Sequence, residues 1–257
     1  MRRYIAKHAR AVLVRLLKDT ELFAKPFKKL IPNVFEIRDL NALKAAMKWE
    51  MDPVVEGAHL NDFTFLGDIN FRRIRDAEVI GVVCRNSKAS IILEIGTSYG
   101  YGTALIAQNA PDASIYTVNM LPQHKDEAGK YITIAPEKNE IGRFYRQQGY
   151  KNIEQIYANT LTWEPDFRPI DVAFIDGSHD KEFVFNDTRK VLKNCQPGSI
   201  ILWHDFAPQM VDKFHWIHDV CLGIERLYRE RLISGPILHV MDSWVGLYVV
   251  QKDDILS

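Results

Sequence analysis

The stretch Ile91-Ile92-Leu93-Glu94-Ile95-Gly96-Thr97-Ser98-Tyr99-Gly100-Tyr101-Gly102 decides the fold. An apolar run carries one acid, Glu94, and then breaks into glycines. Good helix formers follow, Thr103-Ala104-Leu105-Ile106-Ala107-Gln108. The order reads as buried strand, tight turn, helix start. A parallel strand covered on both faces is apolar throughout, which accounts for the Ile/Leu run. Glycines permit backbone geometry closed to other residues and let a ligand approach the main chain. The unpaired N–H groups of the helix start favour a negatively charged ligand group. Glu94 stands out, because a carboxylate near the end of a buried strand needs a partner. Taken alone, the segment is also compatible with an ordinary glycine turn of an α/β fold.

Two further segments repeat the pattern. Ile170-Asp171-Val172-Ala173-Phe174-Ile175 is an apolar run that exits into Asp176-Gly177-Ser178-His179-Asp180. Phe183, Val184, Asp187, Val191 and Leu192 then follow helical spacing up to Lys193. Gln196-Pro197-Gly198-Ser199 reads as a turn, and Ser199-Ile200-Ile201-Leu202-Trp203 as a strand ending in His204-Asp205. Strands also fall at Ser114 to Val118, Ile153 to Ala158, Ile237 to Met241 and Val245 to Val250, with Asp242-Ser243 turning between the last two. Helices fall at Leu40 to Trp49, over Asn70 to Arg85, and at Met210 to Arg231. Met120 to Glu137, with Pro122, Gly129 and Pro136, is long for a structureless connection, and such loops are usually lids or disordered.

The glycines fall as Gly96-x-x-x-Gly100-x-Gly102, not as the G-x-G-x-x-G of a dinucleotide site. An acid on the strand followed by glycines in this order resembles motif I of the class I S-adenosyl-L-methionine (SAM)-dependent methyltransferases. The order strand, Asp176-Gly177-x-His179, helix, Pro197-Gly198, strand, His204-Asp205 resembles methyltransferase family 24, a family of small-molecule methyltransferases. Ile141-Gly142-Arg143-Phe144-Tyr145-Arg146 and the later Asn159-Thr160 resemble the segment that this family places before its fourth strand. The resemblance spans Asn70 to Val250. It implies a doubly wound, mostly parallel, seven-stranded Rossmann-like α/β sheet that ends in an antiparallel hairpin. Residues 1–69 would then be a basic helix and helical cap, and 70–257 the SAM-binding core.

In open α/β sheets the ligand lies beyond the carboxyl ends of the strands, where the winding reverses. That rule puts Glu94–Gly102, Asn119, Asn159, Asp176–His179 and His204–Asp205 on one rim. The resemblance implies that Glu94, Gly96, Thr97, Ser98, Tyr99 and Gly100 cradle the methionine part of SAM, with Asp176 also at the cofactor. Asn119 ends the second strand where the family usually carries an acid for the ribose hydroxyls. Asn159-Thr160 stands where the family commonly has Gly-Asp, near the adenine. Both are departures, and Asn119 reads equally well as a turn residue.

Asp176, His179, His204 and Asp205 form the chemical cluster. Methyl transfer to oxygen needs an acceptor that loses its proton at or before attack, and a histidine titrating near neutrality can take it. His179 is the expected base, with His204 next in line. Asp176 and Asp205 would orient the acceptor or hold Mg²⁺, a hard ion that favours oxygen ligands. Each lone His or Asp also has a plain reading as a loop cap, above all Asp180. The activity expected is transfer of a methyl group from SAM to a small-molecule or sugar acceptor at oxygen. A SAM-binding protein without transfer activity, acting as a regulator or scaffold, is the alternative. The glycine spacing argues against a nucleotide-dependent oxidoreductase.

Composition sets the remaining bounds. Lys and Arg balance Asp and Glu at a formal net charge of zero, so no global field favours nucleic acid. The balance is uneven: residues 1–30 hold nine Lys/Arg against Asp19 and Glu21, a net of +7. Ile5, Ala9, Val12, Leu13, Leu16 and Leu17 share a helical face there. Such a basic amphipathic helix packs on the core or on a second subunit, making a homo-oligomer, or contacts a membrane surface. Cys84, Cys195 and Cys221 are scattered, with no C-x-x-C pair, which points to free thiols in a cytoplasmic protein.

Overall fold

The computed structural model of the protein describes residues 27–56, 70–127 and 135–254. The basic helix expected before Pro26, and with it the oligomer and membrane readings, lies outside the described residues. So does the middle of the long connection after Met120.

The strands are β1 (Val34–Ile37), β2 (Ile91–Ile95), β3 (Ser114–Asn119), β4 (Ile153–Tyr157), β5 (Ile170–Ile175), β6 (Cys195–Trp203), β7 (Ile237–Val240) and β8 (Gly246–Val249). They form one sheet in the order β1-β7-β8-β6-β5-β2-β3-β4. β8 runs antiparallel to both β6 and β7, and the other pairings are parallel. The chain winds outward from β2 through β3 to β4, then returns to β5 on the other side of β2. The switch point therefore lies between β2 and β5, where Leu93 pairs with Ala173 and Ile95 with Ile175.

Helices cover both faces. They are α1 (Leu40–Met47), α2 (Asn70–Asn86), α3 (Tyr101–Asn109), α4 (Arg143–Gln148), α5 (Lys181–Leu192) and α6 (His215–Arg229). The two-residue period of the strands sorts the core into two layers. Ile92, Val172, Phe174, Ile200 and Leu202 pack with Val79, Val83, Leu105 and Ile106 of α2 and α3. Leu93, Ile95, Ala173, Ile175, Ile201 and Trp203 pack with Val184, Ile217, Val220 and Ile224 of α5 and α6. Burial on both faces is why these strands are apolar without alternation.

Five expectations change. The sheet has eight strands, because Val34–Ile37 adds a parallel edge strand beside β7, with Val34 opposite Ile237 and Ile37 opposite Val240. The cap segment is thus built into the sheet: Leu30 and Leu43 are fully buried, and Glu225 of α6 accepts from the Leu30 N–H at 2.6 Å. The turn at Gln196–Ser199 lies inside β6 as a bulge. Its register jumps from Cys195 opposite Ile170 to Ile200 opposite Val172, and Gly198 adopts φ +92°, a Pro-Gly irregularity of the kind that bulges absorb. The last long helix begins at His215, after a separate 3-10 turn over Pro208–Met210. Part of the long connection is ordered, as a 3-10 turn over Pro122–Glu127.

Candidate active site

The turn between β2 and α3 is built from close approaches. Gly96 has φ +108°, and a Cβ there would lie 2.1 Å from the carbonyl oxygen of Asp176. Gly100 has φ +88°, and its Cβ would meet Tyr145 Cδ1 at 2.7 Å and Gly142 Cα at 2.8 Å. Both positions need glycine for backbone conformation and for space. Ser98 also sits in the left-handed region, φ 48°. The turn is tied to the segment beginning α4: Gly142 N donates to Ser98 O at 2.8 Å and Phe144 N to Tyr99 O at 2.9 Å. Tyr101 and Phe144 stack with ring centroids 4.4 Å apart.

Glu94 finds its partners beneath this turn. It is 1% exposed, and its Oε2 accepts from Thr103 Oγ1 and Thr117 Oγ1, each at 2.5 Å. The donors line up from the next strands. Tyr145 Oη donates to Gln155 Oε1 at 3.1 Å, Gln155 Nε2 to Thr97 Oγ1 at 3.0 Å, and Thr97 and Thr117 hydroxyls share a 2.6 Å bond. Burial pushes the Glu94 carboxyl up to about 8 despite the two threonine hydroxyls. Its Oε2 is turned to the interior network, so Glu94 braces the turn from below.

Asn119 is partly engaged. Its Oδ1 accepts from Ser98 N at 2.9 Å and its Nδ2 donates to Met120 O at 2.7 Å, leaving one N–H and one lone pair for a ligand. Asn159 accepts from Leu161 N through Oδ1 at 2.9 Å. It thereby begins the turn after β4, which Lys190 of α5 clamps through Thr160 O, Leu161 O and Trp163 O at 2.8, 3.0 and 2.6 Å. Neither departure from the family pattern is a stray surface residue.

Asp176, His179, His204 and Asp205 converge at the ends of β5 and β6, with one donor atom of each within 4.8 Å of all the others. His179 Nε2 lies 2.8 Å from Asp205 Oδ2 and 3.7 Å from Asp176 Oδ1. His204 Nδ1 lies 3.0 Å from Asp176 Oδ1 and 3.4 Å from Asp205 Oδ2. Asp205 takes φ 52°, a left-handed backbone that Asp tolerates better than most residues and that is common at functional sites. Asp180, by contrast, is the N-cap of α5, accepting from Glu182 N at 3.0 Å, as its plain reading holds. His218 lies on α6 beside Phe27, with ring centroids 5.5 Å apart, away from the cluster.

The electrostatics bear on the role expected of His179. Burial by itself would lower its imidazole, but Asp205 and then Asp176 override burial and hold it up at about 10. His204 is likewise held well above its ordinary value against burial, chiefly by Asp176 and then Asp205. Burial would raise both carboxyls, yet the imidazoles hold Asp176 below its ordinary value and Asp205 well below it. The pairing favours the charged forms of both carboxyls and both imidazoles. Charge pairing outweighs desolvation at both imidazoles.

Sequence reasoning missed one member. Asp76 of α2, 4% exposed, places Oδ2 at 3.4 Å from His204 Nε2. Its Oδ1 accepts from Trp244 N at 2.6 Å, and Arg72 Nη1 donates to Oδ2 at 2.5 Å. No local pattern announces it, since an Asp on an amphipathic helix ordinarily reads as solvent-facing. Asp176 and Asp205, the pair expected to hold Mg²⁺, come together in this cluster. Two imidazole nitrogens share the centre with the carboxylates, and Mg²⁺ is commonly held by one or two carboxylates with waters completing its octahedron.

Residues 93–206 match the sequence model of a family described as a methyltransferase domain. No curated protein matches the chain. Among solved structures, the O-methyltransferase NovP superposes with a TM-score of 0.54 at 12% identity, over 75% of this chain and 84% of that one. A Klebsiella pneumoniae protein provisionally named an O-methyltransferase gives a TM-score of 0.51 at 18% identity, over 82% and 95%. At these identities the likeness is one of fold. Among the described residues no helix is long and apolar enough to cross a membrane. The glycine turn, the parallel sheet with its reversed strand and the matched segment agree: residues 93–206 are similar to a methyltransferase domain, set in a chain with the Rossmann-like methyltransferase fold.

Proposed function

We propose that the protein binds SAM over the Gly96–Gly100 turn and transfers its methyl group to a hydroxyl oxygen of a small molecule, a sugar included. The observation that carries this reading is the contact between the two halves of the site. Gly96 packs against the Asp176 backbone so closely that no side chain fits between them, so a ligand on the turn has the charged cluster beside it. A protein that only bound the nucleoside would have no use for four converging ionisable groups. A formal net charge of zero gives no support to a nucleic-acid acceptor.

In this reading the acceptor oxygen attacks the methyl carbon as the carbon–sulfur bond breaks. The bonding pair leaves with sulfur as S-adenosylhomocysteine. Asp176 has the most exposed side chain of the four, at 30%. It accepts the hydroxyl's hydrogen bond, orients a lone pair toward the methyl, and takes the proton once the new bond makes that oxygen acidic. The imidazoliums of His179 and His204 stabilise negative charge that grows on the oxygen beforehand. Asp205 keeps both imidazoles charged and in place. Glu94, Thr97, Ser98, Tyr99, Asn119 and Asn159 shape or brace the cofactor side.

The test is methyl transfer from labelled SAM to a panel of hydroxylated small molecules, each paired with its deoxy counterpart. Transfer should require the hydroxyl. Asp176→Asn should lower turnover by roughly 10²–10⁴-fold with SAM affinity kept. Equal transfer to the deoxy compounds would remove the oxygen assignment, and full turnover by Asp176→Asn would remove the proton route.

A further inference from the structure

We infer that Arg72 of α2 recognises a carboxylate on the methyl acceptor through its Nε–Nη2 edge, so that the acceptor is a hydroxylated acid, a sugar acid included. The inference rests on the transferase reading and names its substrate class. Among the described residues, the polar partner of Arg72 is Asp76, whose Oδ2 accepts from Nη1 at 2.5 Å. The Nε of Arg72 is buried and has no hydrogen-bond partner. Nε and Nη2 make up the other edge of the guanidinium, a pair of parallel donors that matches the two oxygens of a carboxylate. Native structures satisfy nearly all of their buried donors, because an unmade hydrogen bond there costs free energy. A ligand oxygen on this edge supplies the missing partner. The Arg72 side chain keeps 13% of its surface exposed, so it is not sealed away from a ligand.

The second observation is where this guanidinium stands. Asp76 does not belong to Arg72 alone: its Oδ1 accepts from Trp244 N at 2.6 Å, between β7 and β8, and its Oδ2 also lies 3.4 Å from His204 Nε2. On the far side of that imidazole, Nδ1 lies 3.0 Å from Asp176 Oδ1. One carboxyl and one imidazole thus separate Arg72 from Asp176, the group that receives the acceptor hydroxyl in the transferase reading. A single ring that bears a hydroxyl and a carboxylate covers such a span. Arg72 is held in place by the Trp244 ring, whose centroid lies 3.9 Å from its Cζ. Phe214, the N-cap residue of α6, lies 5.2 Å from the same ring and is half-buried, so the wall continues as an aromatic surface against which the acceptor's ring packs. Lysine would supply charge at this position without the planar fork. Arg72, Asp76, Phe214 and Trp244 all lie outside residues 93–206, so the matched segment does not contain the wall that selects the acceptor.

The experiment uses the full chain and a panel of hydroxybenzoates and uronic acids, each paired with its neutral amide. Methyl transfer from labelled SAM should show a KM for the acids roughly 10–100-fold below that for the amides, with similar kcat. Calorimetric titration of the same compounds into protein saturated with S-adenosylhomocysteine should give the same ratio without turnover. Arg72→Gln should bring the KM of the acids up to that of the amides and leave affinity for S-adenosylhomocysteine unchanged. Arg72→Lys should restore only part of the preference. A merely structural Arg72 would affect acid and amide alike. If Arg72→Gln fails to fold by circular dichroism, the acid-to-amide ratio of the wild type decides. No preference for the acid in any pair, or a preference that survives Arg72→Gln, overturns the inference. The two readings fail separately: transfer to the neutral compounds as readily as to the acids removes only the carboxylate site, whereas preferential binding of the acids with no transfer to any compound removes the transferase assignment.

Discussion

Glu94 shows how one residue links sequence, burial and pH. Its position before the glycines was legible, because an acid in an apolar strand is conspicuous. Its partners Thr103 and Thr117 were not, since they come from the next helix and the next strand. The sign of its effect follows from the shift. The folded carboxyl titrates at about 8 and an unfolded one at about 4.3, so the folded state holds the proton more tightly. That contribution is complete below the unfolded value and is lost as pH rises to the folded one. The melting temperature of the wild type should therefore fall more steeply between pH 5 and 8.5 than that of Glu94→Gln. The raised His179 loses stability over a higher window, toward about 10, and does so in both proteins. Parallel curves of melting temperature against pH would show that Glu94 is not the titrating group. His179 teaches the complementary lesson. Residue type suggested a base near neutrality, but the charge it carries is set by Asp205 and Asp176, brought in by another strand end and by its own turn. Asp76, 128 positions before His204, belongs to the same class of fact: a pairing made by folding leaves no local trace.

At the scale of elements, β2 with its turn, β5 and the apolar half of β6 were legible because burial on both faces leaves an unmistakable run. β1 was not. Its end residues Val34 and Ile37 are half-buried and Phe35 and Glu36 between them are exposed, with none of the period of a half-buried strand, and only the neighbouring β7 makes them a strand. The Pro-Gly turn within β6 misled for the opposite reason, since turn chemistry is real there but is absorbed as a bulge. The segment entering α4 matters more than its length suggests, because it holds the glycine turn by two backbone bonds. Gly142 has φ +70°, and a Cβ there would lie 2.2 Å from Tyr145 Cε1. Gly142→Val should displace Tyr145 and release the chain from Gln155 to Glu94. The left-handed conformation alone costs roughly 1–2 kcal/mol for a residue with a Cβ. The expected outcome is a lower melting temperature together with weaker SAM binding. If Gly142→Val lowered stability and left SAM affinity intact, α4 would be support for the fold and not for the cofactor turn.

At the scale of the molecule, the sequence boundary at residue 69 does not divide the fold, since β1 completes the sheet and Leu30 and Leu43 enter its two core layers. A chain beginning at residue 70 should melt lower than the full chain and expose the β7 edge. Retention of the full melting temperature would return 27–56 to the status of a separate cap. Fold class and rim position were legible because class I topology follows from strand order, and strand order from connections too short for other routes. What the rim can do depended on which side chains met there. The central claim is that the Gly96–Gly100 turn is a SAM site, and calorimetric titration with S-adenosylhomocysteine tests it most directly. The wild type should bind one molecule per chain. Gly100→Val should not bind, because its Cβ would fall 2.7 Å from Tyr145 Cδ1 in a backbone region closed to branched residues. No heat from the folded wild type at concentrations well above micromolar, or equal affinity in the two proteins, would contradict the account.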